Sequence, residues 1–264
     1  MIKLKYNQHI INKNLGQNFL IDSDVIRNII NSINPKKTDI MIEIGSGLGA
    51  LTTHIHKFLN KLFIIEYDKH LASRLFLSFG NVNSIKIFVQ DVLKFNFSCI
   101  EKKNYDSIRI FGNLPYNISV ILLLYLFKYD NIFDMNFMFQ REVANRLVAL
   151  PGTKSYGRLS IISQYHCKIM RLFDVYPRSF RPIPKVSSTF LRLVPYKNQE
   201  HYVKNIHNLE KVTALAFNKR RKMIKHSLSE LFSENILIKL KVDPRLRAEN
   251  LSITQYCILS NYIS

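Results

Sequence analysis

Tryptophan is absent from the 264 residues, and cysteine is scarce, with single residues at Cys99, Cys167 and Cys257. Their odd number and wide spacing argue against a disulfide framework, and without a Cys-x-x-Cys pair they suggest no zinc site. No metal is therefore expected. Long apolar runs are lacking too: the longest, Ile118 to Phe127, is far too short to span a bilayer. The opening stretch, MIKLKYNQHI, has lysines but no apolar core or cleavage signal, so a cytoplasmic protein is expected. Acidic residues are the most telling shortage, 19 against 38 Lys and Arg, which leaves a net charge of +19. A surface so one-sided attracts polyanions at long range, whether nucleic acid, an anionic membrane or an acidic protein. Lysine, asparagine and isoleucine are abundant in a way that fits compositional drift, so the placement of charge counts for more than its amount.

What is present is a chain 47% apolar, long enough for one large α/β domain and a small appendage. Apolar runs at Ile40–Gly45, Leu62–Glu66, Ile85–Gln90, Ser107–Gly112 and Met135–Gln140 alternate with segments of helical length and pattern. That alternation predicts βα units and a mostly parallel sheet. Two later extended runs, Gln164–Phe173 and Thr189–Val194, are read as an antiparallel pair finishing the sheet. Around Pro195–Glu200 the pattern changes, and Ile224, Leu228 and Leu231 repeat at helical spacing. The expected domains are residues 1–197 and a helical 198–264.

Chemistry concentrates at predicted strand ends. Glu43-Ile-Gly-Ser-Gly-Leu-Gly49 follows the first buried strand, and its glycines let the backbone turn sharply and lie against a ligand. Alone this suits NAD or FAD equally, or a turn with no ligand. Glu66 ends the second strand, where a carboxylate can take both hydroxyls of an adenosine ribose. Asp91 ends the third, where it can accept from an adenine amino group. Each acid taken singly is more simply a solvated strand end; three such features at successive strand ends point to an adenosine-containing cofactor. The fourth strand ends in Phe111-Gly-Asn113-Leu-Pro-Tyr116. Asn113 offers a side-chain oxygen, Pro115 removes a donor and stiffens the turn, and Tyr116 gives a flat surface for a base. Accepting both N–H bonds of an exocyclic amine directs its lone pair at an electrophile.

With these residues the chain resembles the small-subunit (16S) ribosomal RNA adenine N6,N6-dimethyltransferases, the kasugamycin-sensitivity methyltransferase family, with macrolide-resistance rRNA methyltransferases as nearest relatives. The likeness runs nearly end to end, through Leu15-Gly-Gln-Asn-Phe-Leu20, the glycine loop, Asn113-Leu-Pro-Tyr-Asn-Ile118, Phe137-Met-Phe-Gln-Arg-Glu142 and Tyr156-Gly-Arg-Leu-Ser160. It continues through Phe180-Arg-Pro-Ile-Pro-Lys-Val186, Ala216-Phe-Asn-Lys-Arg-Arg-Lys222 and Arg247-Ala-Glu-Asn-Leu-Ser252. It implies a Rossmann-like class I methyltransferase domain with a mostly parallel seven-stranded sheet and a small all-helical C-terminal domain. It implies S-adenosylmethionine as cofactor and adjacent adenosines in a hairpin loop near the 3' end of 16S rRNA as target. By the same likeness Asn18, Leu20 and Gly45 touch the methionine side, Gly47 belongs to the same loop, Glu66 holds the ribose and Asp91 reads the cofactor adenine. Asn113 with the Leu114 carbonyl holds the target N6, and Tyr116 and Phe180 are the faces between which the adenine stacks, although Phe180 also reads as a core anchor. Ser46 departs from the family, which often has proline there.

Lys219, Arg220, Arg221, Lys222 and Lys225 place five cations within seven residues of a stretch read as helical, and residues 165–197 hold seven Lys or Arg against Asp174 alone. Either is by itself an ordinary solvated face; beside the proposed site they are read as phosphate contacts. The expected partner is the small ribosomal subunit, bound by a monomer. A DNA adenine methyltransferase is disfavoured by Asn-Leu-Pro where Asn- or Asp-Pro-Pro is usual. A large-subunit enzyme is disfavoured by the AFNKRRK and RAENLS stretches. A non-catalytic assembly factor and a nicotinamide dehydrogenase remain weaker alternatives.

Overall fold

A computed structural model describes residues 5–7, 9–12, 15–100, 108–198 and 201–263. The chain begins with strands β1 (Lys5–Tyr6), β2 (His9–Ile10) and β3 (Phe19–Leu20), then helix α1 (Ser23–Ile33), β4 (Ile40–Ile44) and α2 (Thr52–Ile55). There follow β5 (Lys61–Glu66), α3 (Lys69–Phe79), β6 (Ile85–Val89), β7 (Ile108–Gly112), α4 (Ser119–Leu126), β8 (Ile132–Gln140) and α5 (Arg141–Leu147). Next come α6 (Arg158–His166), β9 (Cys167–Val175), β10 (Phe180–Arg181) and β11 (Ser188–Pro195). The remaining elements are helices α7 (Ile206–Asn218), α8 (Ile224–Ser227), α9 (Glu234–Lys239) and α10 (Ile253–Tyr262). Among the described residues no helix is long and apolar enough to cross a membrane.

Seven strands form one sheet in the order β6-β5-β4-β7-β8-β11-β9. The pairs β5–β6, β4–β5, β4–β7 and β7–β8 are parallel, and β8–β11 is antiparallel. The chain is thus α/β with a mostly parallel seven-stranded sheet, as the apolar runs imply. Every residue of β4 and of β7 is buried, as expected for strands covered on both faces. Helix α1 turns Ile26, Ile29 and Ile33 inward, and Asp22 caps it by accepting from the Asp24 and Val25 amides. One cation interrupts the apolar core. Arg109 on β7 donates to both oxygens of the buried Asp134 on β8 at 2.8 Å, to Asp39 at 2.8 Å and to the Ile33 carbonyl at 2.7 Å. Arg192 also reaches Asp134 at 2.7 Å, so each buried charge in the cluster is balanced by more than one partner.

The contacts divide the chain into two compact units, Met1–Ala144 with Met170–Pro195, and Asn145–Ile169 with Tyr196–Ser264. The sequence reading places a single boundary at 197/198, whereas here residues 145–169 join the second unit. The reason is burial: Tyr156, Ile161, Ile162 and Tyr165 belong to the same apolar cluster as Leu209, Val212, Leu228 and Tyr256. Residues Gln164–His166, read as extended, end α6 instead. Strand β8 starts at Ile132, before the Met135 expected, while Ser107, Gln199 and Glu200 lie outside the described residues.

Candidate active site

The carboxyl ends of β4, β5, β6 and β7 open onto a cavity of about 430 Å³. It lies where the strand order runs outward in both directions from β4, the position at which open α/β sheets leave a crevice. Asn18, Leu20, Gly45, Gly47, Glu66, Asp91, Asn113, Leu114 and Tyr116 all line it. Residues spread over nearly a hundred positions are thereby brought to one wall.

The β4 loop turns through left-handed backbone, with φ of +67° at Gly45 and +59° at Gly47. A β-carbon at Gly47 would also stand 3.1 Å from the Phe19 ring. Glycine is therefore required twice over at that position. The Gly47 amide donates to Glu66 Oε2 at 3.0 Å, and the Asp68 amide donates to Oε1 at 2.9 Å. These two bonds aim a carboxylate only 5% exposed, and burial raises its pKa above the ordinary value. Glu43 lies deeper, accepting from the Thr52 hydroxyl at 2.5 Å, and burial pushes it up to about 8. Asp91 has a local duty, since its Oδ1 accepts from the Leu93 amide at 2.9 Å and caps a short turn, while the residue also faces the cavity.

The turn after β7 is pinned from two sides. Asn113 Nδ2 donates to the Asn18 carbonyl at 2.8 Å, which leaves Oδ1 as the acceptor end of the amide. The Tyr116 hydroxyl pairs with Ser188 Oγ at 2.6 Å, so its ring is held at the cavity wall by the start of β11. Phe180 does not line the cavity. It is fully buried, paired with Leu20 across the β3–β10 ladder and packed in the core. The core-anchor reading describes its place here, because the side chain has no exposed surface and belongs to the same apolar cluster as Leu20, Met138 and Phe190.

Several partners escaped the sequence reading. Gln17 Nε2 donates to Asp68 Oδ2 at 2.7 Å, and Gln17 Oε1 accepts from the Asn12 amide at 2.8 Å. Asp68 in turn caps α3 and feeds its own amide to Glu66. Ser188, Asp68 and Thr52 carried no signal beyond residue type. Only a contact reaching across 51 positions, as Gln17 to Asp68 does, reveals their work. The oxygen Ser46 Oγ is buried without a partner among the described residues, while the loop it sits in keeps its turn through Gly49 N to Ser46 O at 2.9 Å.

In the second unit the five cations do not share a helix. Helix α7 ends at Asn218 and α8 begins at Ile224, so residues 219–223 form the turn between them. Arg220 is spent internally, on Glu249 at 2.8 Å and the Lys154 carbonyl at 2.6 Å, and Lys225 pairs with Glu234 at 3.1 Å. Lys219, Arg221 and Lys222 are exposed, with no ion pair among the described residues.

Comparison with known proteins decides the family. The model of the family described as "Ribosomal RNA adenine dimethylase" matches residues 8–264. The chain belongs to the ribosomal RNA adenine dimethylase family. It is 60% identical over 261 residues to a ribosomal RNA small subunit methyltransferase A of Buchnera aphidicola subsp. Baizongia pistaciae, covering 98% of this chain and 99% of that one. The protein of the same name from Escherichia coli is 47% identical over 257 residues, covering 97% and 94%. A dimethyladenosine transferase from Plasmodium falciparum, known from its crystal structure, superposes with a TM-score of 0.79 at 25% identity, covering 91% of this chain and 95% of that one.

The cofactor of this ribosomal RNA adenine dimethylase family member is S-adenosylmethionine, and the cavity suits it. In a chain of net charge +19, the lining contains Glu66 and Asp91, with Glu43 deeper and holding its proton up to about 8, and among the described residues no Lys, Arg or His. A pocket of that sign favours a sulfonium cation and disfavours the pyrophosphate of a dinucleotide. Among the described residues no cluster of His, Cys, Asp or Glu is placed to hold a metal ion.

Proposed function

We propose that the chain dimethylates adenine N6 at adjacent adenosines in a hairpin loop near the 3' end of 16S rRNA, acting in the cytoplasm as a monomer during small-subunit biogenesis. The observation that carries this reading is a cavity lined by Glu66 and Asp91, with no cation among its described residues, meeting the Asn113–Tyr116 turn. S-adenosylmethionine supplies an electrophilic methyl group on sulfur. Glu66 takes the ribose hydroxyls with the lone pairs its two amide bonds leave free. Asp91 accepts from the cofactor's adenine amino group, and Asn18, Leu20, Gly45 and Gly47 wall the methionine portion. The Asn113 oxygen and the Leu114 carbonyl accept the two N–H bonds of the target amine, which draws the nitrogen lone pair out of conjugation. Tyr116 gives the flipped base a face on which to stack, with its hydroxyl tied back to Ser188. Phe180 supports the wall behind Leu20.

Holding nitrogen, carbon and sulfur in line supplies much of the acceleration by orientation alone. No strong base is needed, because the methylated ammonium is acidic enough to release its proton to water. Lys219, Arg221 and Lys222 contact RNA phosphates, and an unpaired loop is the target that costs least to unstack.

The test is transfer of tritiated methyl from S-adenosylmethionine to undermethylated small subunits, large subunits and duplex DNA. Label should appear only in small-subunit RNA, as N6,N6-dimethyladenosine, and fall by about 10²–10³ in Asn113→Ala. Glu66→Ala should weaken S-adenosylhomocysteine binding in calorimetry. Label in large-subunit RNA would overturn the substrate assignment, and no label in any RNA would overturn the enzymatic one.

A further inference from the structure

Residues 176–187, between β9 and β11, carry Arg178, Arg181 and Lys185 and no acidic residue. The segment is stitched to the cavity wall at several points. Ser179 Oγ donates to Asp22 at 2.8 Å, the Ile21 amide donates to the Ser179 carbonyl at 2.9 Å, and Phe180 pairs with Leu20. At its far end Ser188 holds the Tyr116 hydroxyl. Leu20, Ile21 and Tyr116 all line the cavity, so the base of the segment is part of the site's frame. Pro177, Pro182 and Pro184 restrict the backbone between these anchors.

The outward side chains are of a different kind. Tyr176 is 62% exposed and Ile183 is 59% exposed. Arg178 lies 5.7 Å from the Tyr176 ring centroid, a guanidinium over an aromatic face. Arg181 is turned onto its own segment, donating to the Arg178 and Phe180 carbonyls, so it orders the loop. Arg178 and Lys185 are exposed, with no ion pair among the described residues. The carboxylate that Arg178 does feel is Asp22, held below its ordinary pKa chiefly by the Ser179 hydroxyl and in smaller part by that guanidinium; its oxygens already accept from Ser179 Oγ at 2.8 Å and from the Asp24 and Val25 amides at 3.1 and 3.2 Å. A large aromatic ring held in water beside an exposed guanidinium has no packing duty to explain it.

We infer that Tyr176 and Arg178 form a stacking platform for an unpaired RNA base neighbouring the target adenine, with Arg178 and Lys185 holding the phosphates on either side. Every base has a face to stack, and an exposed aromatic flanked by cations is how single strands are held without reading sequence. The platform is fixed to the same wall as Tyr116, so a strand laid on it is delivered to the cavity in a set path. The inference rests on the proposed RNA substrate.

The experiment measures KM for undermethylated small subunits, KM for S-adenosylmethionine, and the salt dependence of subunit binding. Tyr176→Ala should raise the subunit KM on the order of ten-fold and leave the cofactor KM unchanged, and Tyr176→Phe should restore the wild-type value. The double variant Arg178→Ala/Lys185→Ala should flatten the plot of log K against log salt by about 1.4, at ~0.7 per single-strand phosphate. A wild-type subunit KM in Tyr176→Ala, or an unchanged salt slope in the double variant, overturns the platform. The wild-type enzyme's choice among RNAs judges the substrate reading separately, because the platform is read from the ratio of variant to wild type on whichever RNA is labelled.

Discussion

Glu43 sits in the middle of β4 with every neighbour on its strand buried, and burial is the main reason its carboxyl is raised to about 8, with Glu66 adding to the effect and the Thr52 hydroxyl opposing it. In the unfolded chain the group ionises near 4.5. The folded state therefore holds a proton that the unfolded state gives up across this window. The stability tied to that proton is full below 4.5 and is lost as pH rises toward 8. Urea unfolding across this range should show the wild type losing stability and Glu43→Gln, which cannot ionise, losing less; parallel profiles would dismiss Glu43 as the source. At Tyr116 the issue is aim. Ser188→Ala removes the 2.6 Å partner of the phenol at a cost of about 1 kcal/mol and frees the ring to tilt. Methyl transfer should then drop through kcat, with the KM for S-adenosylmethionine unmoved, and Ser188→Thr should recover part of the loss.

Among the elements, residues 15–20 run along the cavity wall into β3 and behave as a strap. Its hold depends on Gln17, which joins Asn12 to Asp68, while Asp68 is bonded to Glu66 and Glu66 to Gly47. Gln17→Ala should speed hydrogen exchange over residues 15–20 and weaken S-adenosylhomocysteine binding on the order of ten-fold, with little change in Tm; an unchanged exchange rate would show the strap is held elsewhere. Nothing in the residue order announces this link, because Gln17 and Asp68 are ordinary polar residues until the fold brings them together. The central strands were legible for the opposite reason: Ile40–Gly45 and Ile108–Gly112 are short, mostly apolar runs ending in glycine. The turn at Asn113–Tyr116 was legible because proline and asparagine have few other uses directly after a buried strand. Helix α6 was harder to place, since Leu159, Ser160, Ile161, Ile162, Ser163 and Tyr165 are all buried and leave no polar face to set a period. The cations from Lys219 to Lys222 read as helical because α7 precedes them without a glycine or proline to mark its end.

On the scale of the whole molecule, a chain of net charge +19 carries a cavity lined by Glu66 and Asp91, and the proposed function divides the work, with surface cations for polyanion and the pocket for a sulfonium. The two tasks can be separated experimentally. Replacing Lys219, Arg221 and Lys222 together by alanine should reduce the salt slope of subunit binding by about 2 and spare S-adenosylhomocysteine affinity. Arg220→Ala should instead lower Tm, because that side chain holds Glu249 and the Lys154 carbonyl rather than solvent. An unchanged salt slope in the triple variant would return the turn to the status of a solvated loop. The division of the chain into interleaved units carries a further consequence for its synthesis. A nascent chain that has emerged as far as Pro195 has all the strands of the sheet, yet it also carries residues 145–169, whose Tyr156, Ile161, Ile162 and Tyr165 still await the helices that will cover them. Until α7 and α10 arrive, that stretch is an exposed greasy loop on an otherwise finished domain, and the interval before translation ends is when this protein is most open to aggregation or to capture by a chaperone.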